Sequence, residues 1–163
     1  MSSTPLTIEQ ILTRLAEPLP RIAALTEGLT LAQLRTHPGP DEWSANDVLA
    51  HLRSCADVWG DCMRLILAED RPTIRAVSPR TWINRTDYPE LEFRPSFHAF
   101  TMQRADLLVV LELLPPEAWS RAATVTMVGK DLERTVQDYA ARLVVHERSH
   151  VKQIGHIANT MRL

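Results

Sequence analysis

The feature that most constrains this chain is a pair of histidines four residues apart, His146 and His150, in a stretch of helical periodicity near the C-terminus. Four residues make about one helical turn, so both imidazoles point the same way on a helix. Two imidazoles in that relation can bind one metal ion. The pair therefore predicts a helix in this segment, with half of a metal site on one of its faces.

The same residues spell the HExxH signature of zinc proteases, in which the glutamate is the general base. His156 follows His146 by ten residues, which is the spacing of a third protease ligand. Such proteases have a glycine seven residues after the first histidine, where the helix breaks, and this chain has Gln153 there. We therefore expect the helix to continue and His156 to point away from the pair, which argues against a protease.

A third histidine, His51, lies upstream on the apolar stripe of another helix. Ser44 and Asp47 resemble the two partners of a capping box, which predicts a helix from Ala45 to about Glu69. The stripe on this helix consists of Val48, His51, Cys55, Val58, Trp59, Cys62, Leu65 and Ile66. Three buried imidazoles without a common partner would leave several nitrogens unpaired, at about 1 to 3 kcal/mol each, and a shared ion would satisfy them together.

The periodicity of the whole chain predicts an all-α fold, a four-helix bundle in a single domain over residues 1–163. The first helix should run from Thr7 to Thr26, disturbed by Pro18 and Pro20. The third should run from about Ser96 to just before Pro115, and the fourth, which carries the histidine pair, from a cap at Thr135 to about Met161.

Two segments between the helices are expected to be irregular. Proline content predicts a long crossover loop between helices two and three, from Arg71 to Pro95. The segment Ala123–Glu133 predicts a small extended excursion that turns at Gly129, and a short helical turn is expected after Thr30. Four side chains of the crossover loop are candidates to cover the mouth of a metal site and hold a substrate carboxylate: Arg80, Trp82, Arg85 and Tyr88. The alternative for the two aromatic residues is that they anchor the loop on the bundle.

Three further residues lie near the predicted ligands. Cys55 follows His51 by one turn and is either a small core residue or part of the pocket, close enough to approach the ion. Cys62 lies seven residues further along the same helix, which is too far from Cys55 for a disulfide. Glu147 is either a base or hydrogen-bond partner of a ligand, or a charge at the edge of the bundle, and we prefer the edge. Gln153 either bonds a ligand histidine or satisfies a buried carbonyl.

The chain resembles the DinB-like superfamily, whose members are also grouped as YfiT-like metal-dependent hydrolases. The resemblance lies in Glu27-Gly28-Leu29-Thr30, in Pro38-Gly39-Pro40-Asp41-Glu42-Trp43-Ser44 followed by His51-Leu52, and in the segment from His146 to Ile154. These segments span nearly the whole chain.

The resemblance implies a site and a range of activities. One histidine of the second helix and two of the fourth bind a divalent metal in that family, so His51, His146 and His150 take those roles here. The ion expected is zinc or nickel, with manganese or iron as alternatives. Members of known activity include transferases and isomerases that use a low-molecular-weight thiol such as bacillithiol, mycothiol or glutathione, and a homodimer is expected.

Composition narrows the class of partner. Eighteen Lys and Arg against twenty Asp and Glu give a net charge of −2, and no basic stripe is visible, so we expect no nucleic-acid ligand. No run reaches the roughly 18 apolar residues of a membrane span, and Met1 to Thr7 lacks a basic leader. We therefore expect a cytoplasmic protein that meets neither membrane nor nucleic acid.

Two functions remain open from the sequence. The first is a metal-dependent transferase or hydrolase in which the ion activates a thiol cofactor or water against a small electrophilic substrate. The second is a non-catalytic, metal-stabilised module that binds a partner or serves in a stress response. An exchangeable water on the ion would favour the enzyme, and a fourth protein ligand such as Cys55 would favour the module.

Overall fold

A computed structural model describes residues 4–163 of the chain; Met1 to Ser3, part of the segment inspected for a leader, lie outside the described residues. The helices, in chain order, are α1 (Ile8–Ala16), α2 (Pro18–Thr26), α3 (Leu31–Arg35), α4 (Ala45–Ala68), α5 (Pro79–Trp82), α6 (Phe93–Glu112) and α7 (Val136–Met161). Four long segments, α1 with α2, α4, α6 and α7, form a helical bundle, which confirms the predicted fold class. Among residues 4–163, no helix is long and apolar enough to cross a bilayer.

The first predicted helix is two helices. Thr7 caps α1 through a reciprocal pair of hydrogen bonds with Gln10, and the helix ends at Ala16. Pro18 then opens α2 at a first-turn position, where a missing N–H costs nothing because that N–H has no partner within the helix. The expected disturbance at Pro18 is therefore a full break, and α3 supplies the short turn predicted after Thr30.

The predicted crossover loop carries more structure than its prolines indicated. It contains strand β1 (Thr73–Arg75), α5, and 3₁₀ turns at Ile83–Arg85 and Tyr88–Glu90. Helix α6 begins at Phe93, three residues before the predicted start at Ser96. The reason is that Pro95 falls in the first helical turn, where a proline is tolerated.

A small sheet lies beside the bundle. Strands β2 (Ala122–Met127) and β3 (Lys130–Thr135) pair antiparallel and turn at Gly129, whose φ of 84° suits a glycine, so the predicted excursion is confirmed. Strand β1 pairs parallel with β2, with Thr73 opposite Thr124. This third strand was not predicted, because three residues carry too little pattern to indicate a strand without its neighbour.

Two apolar clusters fill the interior. On α7 the first cluster extends to Val144, and the second resumes at Val151. The histidine pair occupies the interval between them. On α4, Cys55 belongs to the first cluster and Leu52 to the second, so His51 lies next to the same boundary. The histidines of the candidate site therefore lie at the boundary between the two apolar clusters.

Candidate metal centre

Helix α4 delivers His51 to the interior. The helix starts at a capping box, in which Ser44 Oγ accepts from the Asp47 N–H at 3.1 Å and Asp47 Oδ2 accepts from the Ser44 N–H at 3.0 Å. This pair satisfies two backbone donors at the helix start and fixes where the helical register begins. His51 lies about two turns further on, with 7% of its surface exposed. The predicted helix start is therefore confirmed.

Helix α7 delivers the other two imidazoles. Its start is a capping box of Thr135 and Asp138, with hydrogen bonds of 3.0 and 2.9 Å. The helix runs without a break from Val136 to Met161, through Gln153. His146 and His150 therefore project from one face, as the spacing predicts, and the helix does not turn back to carry His156 to them.

The three imidazoles meet at His146. The Nε2 atom of His146 lies 3.0 Å from His51 Nε2 and 3.1 Å from His150 Nε2. A neutral imidazole nitrogen carries either one hydrogen or one lone pair, so His146 Nε2 can make a hydrogen bond to one of these neighbours and not to both. The cluster therefore has more ring nitrogens facing each other than their own hydrogen bonds can satisfy.

Burial sets the charge state of two of these imidazoles. It lowers the pKa of His51 to about 4, with a smaller contribution from the nearby His150 and Arg80. It also lowers the pKa of His146 to about 4, with smaller contributions from His150, His51 and Arg142. Both rings are neutral at pH 7, and the neutral ring is the form that binds a metal ion.

Neighbouring side chains hold the rings in place. Gln153 Oε1 lies 2.8 Å from His150 Nδ1, so the hydrogen of His150 is held at Nδ1 and its Nε2 lone pair is directed at His146. Trp43 stacks on His150 with ring centroids 6.2 Å apart and an interplanar angle of 9°. Trp59 meets His146 edge-on at 5.1 Å. Of the two roles open for Gln153, the structure supports the bond to a histidine.

Cys55 touches the same cluster. Its Sγ lies 3.6 Å from His51 Nε2 and 3.8 Å from His146 Nε2. The ligand atoms of His51, Cys55 and His146 all lie within 4.8 Å of one another. The thiol is 1% exposed, and burial raises its pKa to about 12, with Glu147 adding to the rise, so it is neutral at pH 7 unless a cation binds beside it.

The donor set fits a divalent ion. Two nitrogens that each lie about 2.0 to 2.1 Å from one zinc ion are on the order of 3.0 to 3.4 Å apart. The Nε2 separations of 3.0 and 3.1 Å match that range. One polar atom is still unexplained: His146 Nδ1 is buried without a hydrogen-bond partner among residues 4–163.

A pocket of about 430 Å³ opens beside His150. Its lining residues are Pro38, Asp41, Glu42, Trp43, Arg80, His150, Gln153, His156 and Ile157. His150 is the one imidazole of the cluster in this lining, so a small molecule would reach the site from its side. His156 is exposed at the wall of the pocket, apart from the cluster.

The four candidate residues of the crossover segment lie in two separate depressions of the surface. Arg80 lies in the pocket beside His150, and its guanidinium carbon is 5.7 Å from the centre of the Trp43 ring. Trp82, Arg85 and Tyr88 line a separate, more open depression that contains none of the three histidines. Trp82 Nε1 and the Tyr88 hydroxyl both donate to Asp57 Oδ2, at 3.1 and 2.6 Å. These two aromatic residues therefore anchor the crossover, which was the other role open to them.

Glu147 is not at the edge of the bundle, where we expected it. Its side chain is 1% exposed, and both carboxylate oxygens accept from the guanidinium of Arg104 on α6. Arg104 Nη1 also donates to the backbone oxygen of Leu15. A carboxylate in this ion pair is not free to act as the base of a zinc protease. In this chain the glutamate of the HExxH pattern packs α7 against α6, and the two histidines of the pattern lie on one face of α7.

Sequence reasoning missed the role of Trp43 in the site. The residue was part of the motif before the α4 cap, and its contact with the imidazoles was not anticipated. It lies 5.2 Å from His51 between ring centroids and stacks on His150. An aromatic residue directly before a helix cap, about two turns ahead of a buried histidine, is the signal that could have found it.

A helical bundle with histidines from two of its long helices gathered at one point defines the class of protein: a four-helix bundle with a candidate metal centre. The chain belongs to the DinB superfamily, whose sequence profile matches residues 8–154. Its fold is similar to that of YfiT from Bacillus subtilis, described as a probable metal-dependent hydrolase with an unusual four-helix bundle topology. The TM-score is 0.80 at 19% identity, over 99% of this chain and 93% of that one. No curated protein sequence matches the chain.

Proposed function

We propose that this protein is a metal-dependent enzyme that binds one divalent ion through His51, His146 and His150 and acts on a small electrophilic substrate. The observation that carries the proposal is the meeting of the three imidazoles, with two Nε2 atoms 3.0 and 3.1 Å from the Nε2 of His146. Zinc or nickel is the first choice for the ion, and manganese or iron is the alternative. The reaction proposed is hydrolysis or the transfer of a thiol.

Each part of the site has a task in this proposal. When bound, a divalent ion supplies the Lewis-acid chemistry that activates water or a low-molecular-weight thiol against an electrophile. His51 and His146 offer neutral nitrogens at pH 7 because burial lowers the pKa of each ring to about 4. Gln153 directs His150 through its Nδ1 atom.

The pocket limits the substrate to a small molecule. Its volume of about 430 Å³ lies within the range of small-ligand sites. Arg80 supplies a cation at its wall, stacked toward Trp43, and makes no ion pair among the described residues. Arg80 is therefore suited to hold a carboxylate or other anionic group of the substrate. Asp41 and Glu42 also line this pocket and would repel an anion placed beside them.

A second function has one observation in its favour. Cys55 Sγ lies 3.6 and 3.8 Å from two of the proposed ligand atoms. A fourth protein ligand would complete a tetrahedral site of the kind that stabilises a fold. The alternative is therefore a non-catalytic, metal-stabilised binding module.

The experiment that tests the site is a measurement of metal content by elemental mass spectrometry, on protein purified without a His-tag or chelator. We expect close to one divalent ion per chain, lost in His51→Ala and in His146→Ala and retained in His156→Ala. The His156 variant is the matched control, since that residue lies at the pocket wall. Metal-free protein that cannot be reloaded with zinc, nickel, manganese or iron would contradict the proposal. So would loss of metal confined to the His156 variant.

Three expectations from the sequence stay predictions. The homodimer rests on the family resemblance, and light scattering on the purified protein measures it. The cytoplasmic location and the lack of nucleic-acid binding rest on composition. A fluorescence titration with a duplex oligonucleotide at low salt tests the last of these, because electrostatic binding to nucleic acid is strongest there.

A further inference from the structure

Cys55 lies where the first apolar cluster meets the histidines. It lies on α4 one turn after His51, so its side chain and that imidazole share one face of the helix. The nearest polar atoms recorded for its Sγ are nitrogens of His51 and His146, the closest being the two Nε2 atoms at 3.6 and 3.8 Å. Both of these nitrogens belong to the proposed ligand set.

These distances are those of ligands on one ion. A zinc–sulfur bond of about 2.3 Å and a zinc–nitrogen bond of about 2.0 to 2.1 Å place the two ligand atoms on the order of 3.5 Å apart in a tetrahedral site. The observed separations of 3.6 and 3.8 Å lie within a few tenths of an ångström of that value. No large movement of α4 against α7 is needed for the sulfur and both nitrogens to share an ion.

We propose that Cys55 Sγ binds the metal ion directly, together with His51 and His146. This inference rests on the proposed metal site. When the bond between sulfur and metal forms, the thiol proton leaves to solvent, and nothing is oxidised or reduced. Cys55 is 1% exposed and does not line the pocket, whereas His150 does.

Two consequences follow for the chemistry of the site. A thiolate with imidazoles is a softer donor set than imidazoles with water, so it favours zinc or cobalt over magnesium, calcium or manganese. If His150 binds the same ion as well, the ion has four protein ligands, which is the closed set of the metal-stabilised module. If His150 instead stays unbound on the pocket side, the ion would keep an open position for water or a substrate.

Cobalt substitution tests the bond. A thiolate bound to cobalt(II) produces an intense near-ultraviolet charge-transfer band that imidazole ligands do not. The wild-type protein is compared with Cys55→Ser and with Cys62→Ser. Cys62 is the matched control: it is the other free cysteine, it lies on the same helix about 10 Å further along the axis, and it is placed beside Tyr139.

We expect the band in the wild-type protein and in Cys62→Ser, and its loss in Cys55→Ser, which still binds cobalt through its histidines. Two outcomes would overturn the role of Cys55 and leave the proposed histidine site standing. One is that the wild-type protein binds cobalt without showing the band, and the other is that the band persists in Cys55→Ser. Folded wild-type protein that takes up no cobalt overturns the metal site and this inference together.

A second measurement needs no variant, so it decides the matter even if Cys55→Ser does not fold. X-ray absorption at the zinc edge of the wild-type protein should detect one sulfur at about 2.3 Å besides nitrogen neighbours at about 2.0 to 2.1 Å. A first shell made only of nitrogen and oxygen overturns the proposal.

Discussion

At the scale of single residues, the Arg104–Glu147 pair is the most deeply buried ion pair among the described residues. Both side chains are almost fully buried, at 3% and 1% exposure, and two parallel hydrogen bonds join them. A third bond, from Arg104 Nη1 to the oxygen of Leu15, extends the contact to α1. The pair thus joins three elements of the bundle, although Arg104 Nε has no partner in the described part of the chain.

Removing one member of this pair should destabilise the fold strongly. Glu147→Gln leaves the Arg104 charge buried and unpaired, and we expect a loss of about 3 to 5 kcal/mol in the free energy of unfolding, measured in urea. The control is Glu133→Gln, which removes an exposed partner of Arg71 at 3.5 Å and should cost about 0 to 1 kcal/mol. Equal losses in the two variants would contradict the assigned role of the buried pair.

The imidazoles of His51 and His146 make the stability of the metal-free protein depend on pH. His51 and His146 take up protons with a pKa of about 4 when folded and of 6.5 in the reference state. Between these values the unfolded chain binds more protons, so acid favours unfolding. Protonation of these rings leaves the free energy of unfolding unchanged above pH 6.5. As the pH falls from 6.5 toward 4, the free energy of unfolding decreases by on the order of a few kcal/mol in total.

Thermal unfolding in a chelating buffer between pH 7 and pH 4 measures this loss. We expect a shallower decline in the double variant His51→Gln with His146→Gln, since neither glutamine titrates. His98→Gln serves as the control, because His98 is exposed and should leave the decline unchanged. A double variant that follows the wild-type curve would rule out the buried histidines as the cause.

At the scale of elements, Asp57 of α4 holds the crossover segment against the bundle. Its Oδ2 accepts from Trp82 and Tyr88, and its Oδ1 accepts from Gln103 of α6 at 2.6 Å. The Arg53 guanidinium carbon lies 3.8 Å from the centre of the Tyr88 ring. One carboxylate thereby joins α4, α6 and the segment that carries Arg80 to the pocket.

Asp57→Ala should loosen that segment. We expect faster hydrogen exchange over residues 79–90 and a loss of about 1 to 3 kcal/mol in the free energy of unfolding, because hydrogen bonds to a charged group are lost. Asp61→Ala is the control: Asp61 lies one turn further on α4, is exposed and makes no hydrogen bond among the described residues. Unchanged exchange over residues 79–90 in the Asp57 variant would refute this anchoring role.

At the scale of the whole molecule, the proposed ion would tie two long helices together. His51 comes from α4 and the other two histidines from α7, and these helices are neighbours in the bundle. Metal binding to the folded state alone stabilises it by about 2.7 kcal/mol when the free ion is at 100 times Kd. For a chain of this size that is a rise of about 5 to 10 °C in Tm.

A thermal scan of chelated protein with and without added zinc measures this rise. Wild-type protein and His156→Ala should both gain it, and His51→Ala should not. A rise of the same size in His51→Ala would place the ion elsewhere on the molecule.

The helices and their caps were predictable because their causes are local. The side chain of Ser44 bonds the backbone of Asp47, and Thr135 bonds that of Asp138, each within three residues. The turn at Gly129 is local as well, since its positive φ suits a glycine. The predicted start of α6 near Ser96 was three residues too late because Pro95 was assigned to the crossover loop. In the structure Pro95 lies in the first helical turn, where a proline is tolerated.

What the sequence alone determined, then, is the set of long helices, their starting points and the spacing that puts His146 and His150 on one face. Tertiary structure alone decided that Glu147 is buried against Arg104, 43 residues away, that Arg80 rather than Trp82 or Arg85 faces the pocket, and that Cys55 meets two imidazoles. The physical reason is range: caps and helical faces depend on neighbours within about one turn, whereas partners in a packed core are chosen by the relative placement of whole helices.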